Sequence, residues 1–294
     1  MTTSKGDIES KTFLSVLSMW NYREAGPVSM NKLGWVGCEH PFVDEVSVVQ
    51  VNQVTVGRFG GNSAAGAYKN EDGCIVWADV QQEWEFAMVL DAHYSADSAA
   101  LIVNRFQQEQ MNVKTILSQS SPVALKQIEE HILNVLQNHE FLQACREVKG
   151  ETACLFVVRK ENYVWWLSVG DCMLYLLHPE LADLGQYLLN ERQFYEWIGQ
   201  VNTFDQPVPC FTRGTRELRT GSNQILLTTD GLTECPGEPY AKSEAIYHAL
   251  MEITADEAVN KMLSTIQEHH VRDSTTMITW NVHVVKQASM PSDL

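Results

Sequence analysis

Four aspartates stand where apolar runs begin or end. Asp91 closes Phe86-Ala87-Met88-Val89-Leu90, and Asp230 closes Ile225-Leu226-Leu227-Thr228-Thr229 just before Gly231. Asp72 opens the run that holds Ile75, Val76 and Trp77, and Asp273 lies just ahead of the alternating stretch from Ile278 to Val284. A carboxylate at the tip of a strand is aimed by a rigid element. Several that converge repel one another and take raised pKa values unless cations neutralise them. Mg2+ and Mn2+ favour such oxygen ligands. A pair of them about 3.5–4 Å apart lowers the pKa of water and orients it toward a phosphoryl group. A single Asp after a strand is commonly a turn or cap residue, so the argument rests on the shared placement.

For these tips to meet, the strands must form sheets whose ends coincide. Val46 to Val56 reads as a strand stopped by Gly60-Gly61-Asn62. Cys74 to Val80 and Trp84 to Leu90 read as a hairpin. A helix is expected over roughly Ala96 to Gln110. Another opens with Ser121 as N-cap and Pro122 at its first position, with Leu125, Ile128, Ile132 and Val135 on one face. Thr152 to Val158, Tyr163 to Val169 and Cys172 to Leu177 read as a three-strand meander. A helix near Gln186 to Ile198 and an irregular, Arg-containing stretch follow. Gln224 to Thr229 is a buried strand, and Thr254-Ala255-Asp256-Glu257 is a capping box for a helix to about Glu268. The last strand, with Ile278, Trp280, Val282 and Val284 alternating with Thr279, Asn281 and His283, has one wet face. Ahead of all this, Thr12 to Trp20 reads as a short helix and Asn31 to His40 as a loop.

This order predicts an α+β fold in which two packed, mainly antiparallel β-sheets are flanked by helices, an α-β-β-α sandwich. Residues 1–45 form an N-terminal extension, 46–286 one domain with 178–222 as a candidate flap insertion, and 287–294 a tail. The formal net charge of −16 and the absence of any Lys/Arg cluster exclude a duplex-binding surface. No run nears the roughly 18 apolar residues of a membrane span, and the polar start MTTSKGDIES has no signal-peptide pattern. Seven cysteines without a CxxC pair indicate buried thiols in a reducing cytoplasm. Neither a P-loop nor a Gly-x-Ser-x-Gly elbow occurs.

At the same segments the chain resembles the PPM-class (type-2C-like) metal-dependent protein serine/threonine phosphatases, over roughly residues 50–285. Asn70-Glu71-Asp72 is similar to that family's Asn-Glu-Asp segment, Asp91-Ala92-His93 to Asp-Gly-His, and Gly150-Glu151-Thr152-Ala153 to Gly-Ser/Thr-Thr-Ala. Val169-Gly170-Asp171-Cys172 resembles Val-Gly-Asp-Ser, Thr229-Asp230-Gly231 resembles Ser/Thr-Asp-Gly, and Asp273-Ser274-Thr275-Thr276 resembles Asp-Asn-x-Thr.

The resemblance implies two Mn2+ or Mg2+ ions. Asp91 would bridge them, the Ala92 carbonyl would add a ligand, Asp230 and Asp273 would serve one ion, and Glu71 or Asp72 would complete the other. Glu147 is the candidate for a third cation. His93 would be the general acid for a seryl or threonyl leaving group, or support the residue that is. Asp171 is read as structural. The implied substrate is a phosphoprotein. The sequence departs from the pattern at Ala67, where relatives carry a phosphate-binding Arg, and at Tyr94-Ser95, where they carry two glycines. Lys69 and Arg58 are the candidate phosphate-binding replacements, with Arg213 and Arg216 as further guesses. The alternative implied by these departures is a catalytically weak or inactive module of the same fold that binds a protein partner.

Overall fold

The structure is a computed structural model that describes residues 32–290 and 292. The helix expected over Thr12 to Trp20 lies outside the described residues.

In chain order the elements are β1 (Lys32–Val36), β2 (Ser47–Val51), β3 (Val54–Phe59), β4 (Gly73–Asp79) and β5 (Trp84–His93). Helices α1 (Asp97–Gln108), α2 (Gln110–Leu117), α3 (Ser121–Leu136) and α4 (His139–Glu147) come next. Then follow β6 (Glu151–Lys160), β7 (Tyr163–Val169), β8 (Met173–Leu177), the single turn α5 (Pro179–Ala182), β9 (Ile198–Gly199), β10 (Thr212–Glu217) and β11 (Gly221–Thr228). Two helices, α6 (Ser243–Met251) and α7 (Ala255–Glu268), precede β12 (Thr275–Val284).

Every strand pairing among the described residues is antiparallel. One sheet runs β1-β4-β5-β6-β7-β10 with β9 added on β6, and the other runs β2-β3-β12-β11-β8. Three apolar layers hold the sandwich together. Phe86, Met88 and Leu90 of β5 meet Ile102, Phe106 and Ile128 of the helices, whereas Ala87 and Val89 meet Ile225, Leu227 and Ile278 of the second sheet. On the far side, Phe59, Leu226 and Met277 pack on Val259, Leu263 and Ile266 of α7. Each such side chain, fully removed from water, contributes about 1.5–3 kcal/mol. The expected α-β-β-α arrangement is therefore the one found. No described helix is long and apolar enough to cross a membrane.

Local expectations fared unevenly. The hairpin β4–β5 and the capping box of α7 stand as read. Helix α3 starts one residue earlier than expected, with Ser120 as its N-cap and Pro122 at the second position. The run from Val46 to Val56 is two strands, because Asn52 turns the chain with φ +53°. Lys32–Val36, expected as loop, pairs along its whole length with β4. The meander breaks after β7, since β8 crosses to the second sheet and pairs with β11. No helix forms over 186–198. The Asn190 amide holds that segment open instead, accepting from the Leu174 N–H (2.8 Å) and donating to Ser168 Oγ (3.1 Å) and the Cys172 carbonyl (2.8 Å).

Candidate functional site

Strand parity gathers the carboxylates. Asp91 follows Ala87 and Val89 on the face of β5 between the sheets, and Asp72 has the parity of Cys74 and Val76 on β4. The start of β4 lies beside the end of β5 (Gly73 opposite Leu90), and the end of β11 beside the start of β12 (Thr228 opposite Met277). Asp72, Asp91, Asp230 and Asp273 therefore reach the same end of the sandwich. A Cβ on Gly231 would collide with the Ser274 carbonyl oxygen. The glycine is what lets the Asp230 turn close on the Asp273 turn.

Asp72 and Asp91 are buried, Asp230 is half-buried and Asp273 opens onto a cleft. Burial pushes Asp91 well above the usual carboxylate range, and Asp72, Asp230, Asp273 and Asp171 push it further. Asp230 is raised to about 6 by burial and by Asp273, Asp171 and Glu234, against a hydrogen bond with Asp91. Asp72 is raised to about 7, chiefly by burial, despite three hydroxyl donors. These are Thr276 Oγ1 (2.7 Å), Ser274 Oγ (2.8 Å) and Thr229 Oγ1 (3.3 Å). All three come from the second sheet's side, so Asp72 also pins the two sheets together. Asp273 is raised by partial burial and by Glu234, offset by the Ser274 N–H, by His93 and by Arg272.

The donor set fits hard divalent cations by its chemistry: oxygen ligands, crowded like charges and partial exclusion of water. It is not a preassembled cage. Among the described residues, no three His, Cys, Asp or Glu side chains already stand in ligating geometry.

Other sequence candidates are placed as follows. Ala92 keeps a negative φ, so its Cβ costs the backbone nothing there. His93 is exposed at the tip of β5, and its charge is felt by Asp273. Lys69 Nζ sits 2.7 Å from Glu71 Oε1 and donates to the Tyr94 carbonyl at 3.0 Å. Glu147 is exposed at the C-terminal end of α4.

Arg58 is not brought to the cluster, contrary to expectation. It is buried with its guanidinium over the rings of Trp35 (5.2 Å) and Phe42 (4.5 Å) and donates to Ser47 Oγ. Arg213 pairs with Glu129, and Arg216 donates to Gln186.

The structure adds groups that sequence reasoning missed. Asp171, read as structural, belongs electrostatically to the cluster. Arg192, from the candidate flap, reaches Glu234 (2.6 Å), Asp171 (3.3 Å) and Asp230 (3.4 Å) with one nitrogen. Asp171 had a signal, the Val-Gly-Asp segment. Arg192 had none, because its segment shows no period.

The model of the protein phosphatase 2C family matches residues 64–268, a span that contains Asp72, Asp91, Asp171 and Asp230. The chain belongs to the protein phosphatase 2C family. It is by class a protein serine/threonine phosphatase. Solved phosphatases share the fold at low identity. A point mutant of a bacterial serine phosphatase is 16% identical with a TM-score of 0.60, covering 79% of this chain and 98% of its own. The serine/threonine phosphatase Stp1 from Staphylococcus aureus is 15% identical with a TM-score of 0.57, covering 79% and 95%. RsbX in complex with magnesium is 14% identical with a TM-score of 0.50, covering 80% and 98%. None of the curated proteins matches by sequence.

Proposed function

We propose that this protein phosphatase 2C member hydrolyses phosphoserine and phosphothreonine on proteins, with two divalent cations, Mn2+ or Mg2+, held at the carboxylate end of the sandwich. The observation that carries this reading is the meeting of Asp72, Asp91, Asp230 and Asp273 from both sheets at one end, where Asp230 and Asp273 raise Asp72, and all three raise Asp91. Cations, when bound, supply the charge that neutralises these acids, polarise the phosphoryl oxygens and lower the pKa of a water.

The chain's own residues do the rest. Asp91, central to the set, would face both ions, with the Ala92 carbonyl beside it. Asp230 and Asp273 would face one ion, and Glu71 the other. Asp72, already engaged by three hydroxyls, would fix the floor of the site rather than complete a coordination sphere. His93, exposed at the mouth, would hold the proton that the seryl or threonyl oxygen takes on leaving. Glu147, exposed at the end of α4, would be the group to face a weaker third cation.

The catalytic body would begin at β1 rather than at residue 46, because β1 pairs along its whole length with β4, and would run to 286. Within 178–222, β9 and β10 belong to the first sheet, which leaves the chain around Arg192 as the flap. Seven cysteines, none in a disulfide, suit a reducing cytoplasm.

Release of phosphate from a phosphopeptide or p-nitrophenyl phosphate should require Mn2+ or Mg2+. Asp91→Asn should lower it by more than the 10–100-fold that loss of an outer-shell partner costs. No release at saturating Mn2+ would leave the partner-binding module as the better reading.

A further inference from the structure

A phosphoryl dianion held at this site by cations keeps oxygens that a planar guanidinium is suited to receive as a fork. We infer that Arg272 is that group. The inference rests on the hydrolase reading above.

The cations near the carboxylates divide by what already holds them. Arg192 is engaged by three carboxylates, Lys69 is held by Glu71 and the Tyr94 carbonyl, and Arg58 lies beneath Trp35 and Phe42. Arg272 is exposed and makes no hydrogen bond or ion pair with any described residue. Together with Ala67, Lys69, Glu71 and Asp273 it lines a cleft of about 370 Å3 that opens beside the carboxylates.

Its side chain also runs along one wall of this cleft. Gly66, at φ +93°, has no Cβ. One built there would sit 3.9 Å from Arg272 Nε, so the guanidinium stem runs alongside the Gly66-Ala67 backbone. The backbone fixes this approach, since the Asn62 N–H donates to the Val271 carbonyl (2.8 Å) and the Ala67 N–H to the Asn62 carbonyl (3.0 Å). Position 67 is a buried alanine that offers no charge of its own. Arg272 thus brings a planar fork to the space above position 67 from the neighbouring turn, one residue ahead of Asp273.

The test pairs turnover with binding of inorganic phosphate, measured by calorimetry on the Mn2+-loaded protein, so that it does not depend on hydrolysis. Arg272→Ala should raise KM for p-nitrophenyl phosphate and weaken phosphate binding together, each about tenfold or more. Mn2+ affinity and Tm should stay unchanged. Arg272→Lys should recover only part of the loss, because an ammonium lacks the fork. Adding Ala67→Arg to Arg272→Ala should restore phosphate affinity. Unchanged phosphate binding in Arg272→Ala would overturn the inference, and so would its loss in Arg192→Ala instead. A wild type that binds phosphate through Arg272 yet releases none from substrate would sink the hydrolase reading alone.

Discussion

β5 carries an acid at each end of one face. Glu85 and Asp91 both point between the sheets, three pleats or roughly 20 Å apart, and both are raised by burial. Their neighbours differ. Glu85 receives Arg159 as a fork, with Nε at 2.5 Å from Oε2 and Nη2 on Oε1, and the Gln53 amide as well. Arg159 is in turn fixed by the Glu83 carbonyl at 2.8 Å. Around Asp91, every influence beyond burial is another carboxylate pushing the same way. An acid buried with its counter-charge closes one end of the sandwich as structure. An acid buried among its likes leaves the other end unbalanced until positive charge arrives.

The largest test of this contrast is Arg159→Met, which leaves Glu85 buried without its fork. It should cost about 3–5 kcal/mol in urea unfolding. A loss under about 1 kcal/mol would show that Glu85 is carried protonated and that the two ends are alike.

Next comes pH. Asp230 and Asp72 have folded pKa values raised to about 6 and 7 above the ordinary 3.8, so folding takes up protons there. Their contribution is fully present below about pH 4 and is lost as pH rises through about 6 and 7, on the order of a few kcal/mol. Chelated protein should therefore melt progressively lower between about pH 5 and 8, and Mn2+ should restore more of the Tm at the upper end of that range than at the lower. A chelated Tm that climbs over this range would contradict the sign.

Smaller still, Asp91→Asn should stabilise the chelated protein at about pH 8 by about 1 kcal/mol or more while abolishing turnover, the opposite of any change at Glu85. The smallest effect concerns Tyr94, exposed and held at φ +76°, a backbone region that favours glycine. Tyr94→Gly should raise stability by about 0.5–1 kcal/mol, read as a Tm shift.

Much of the site was legible because strands announce their ends. Asp91 closes an apolar run and Asp230 closes one that ends in two threonines, so parity and position could be read without the fold. The hairpin of β4 and β5 followed from the same patterns. What stayed illegible depends on distant partners. The apolar residues Tyr187, Leu188, Leu189, Phe194 and Trp197 have a spacing that a helix would tolerate. It is the Asn190 amide, reaching back to β7 and β8, that keeps the chain extended. Arg58 has the parity of an inward-facing residue, but its cover comes from Trp35 and Phe42, in and just after a segment read as loop. Arg192 and Arg272 carry no local signal at all, since their surroundings are other turns.

β12 is laid between β3 and β11, and Asp72 takes its closest hydroxyl from Thr276, 204 residues further along. At a synthesis rate of about 5–20 residues per second, roughly 10–40 s separate the emergence of these two residues from a ribosome. Until then the second sheet has a gap in its middle and two unpaired edges, each a template for wrong strands. A nascent chain must therefore wait through most of its synthesis with a half-built acidic rim. A chain stopped before residue 275 is left with open sheet edges and no Thr276 to hold Asp72, which makes it a substrate for chaperones and proteases rather than a weaker phosphatase.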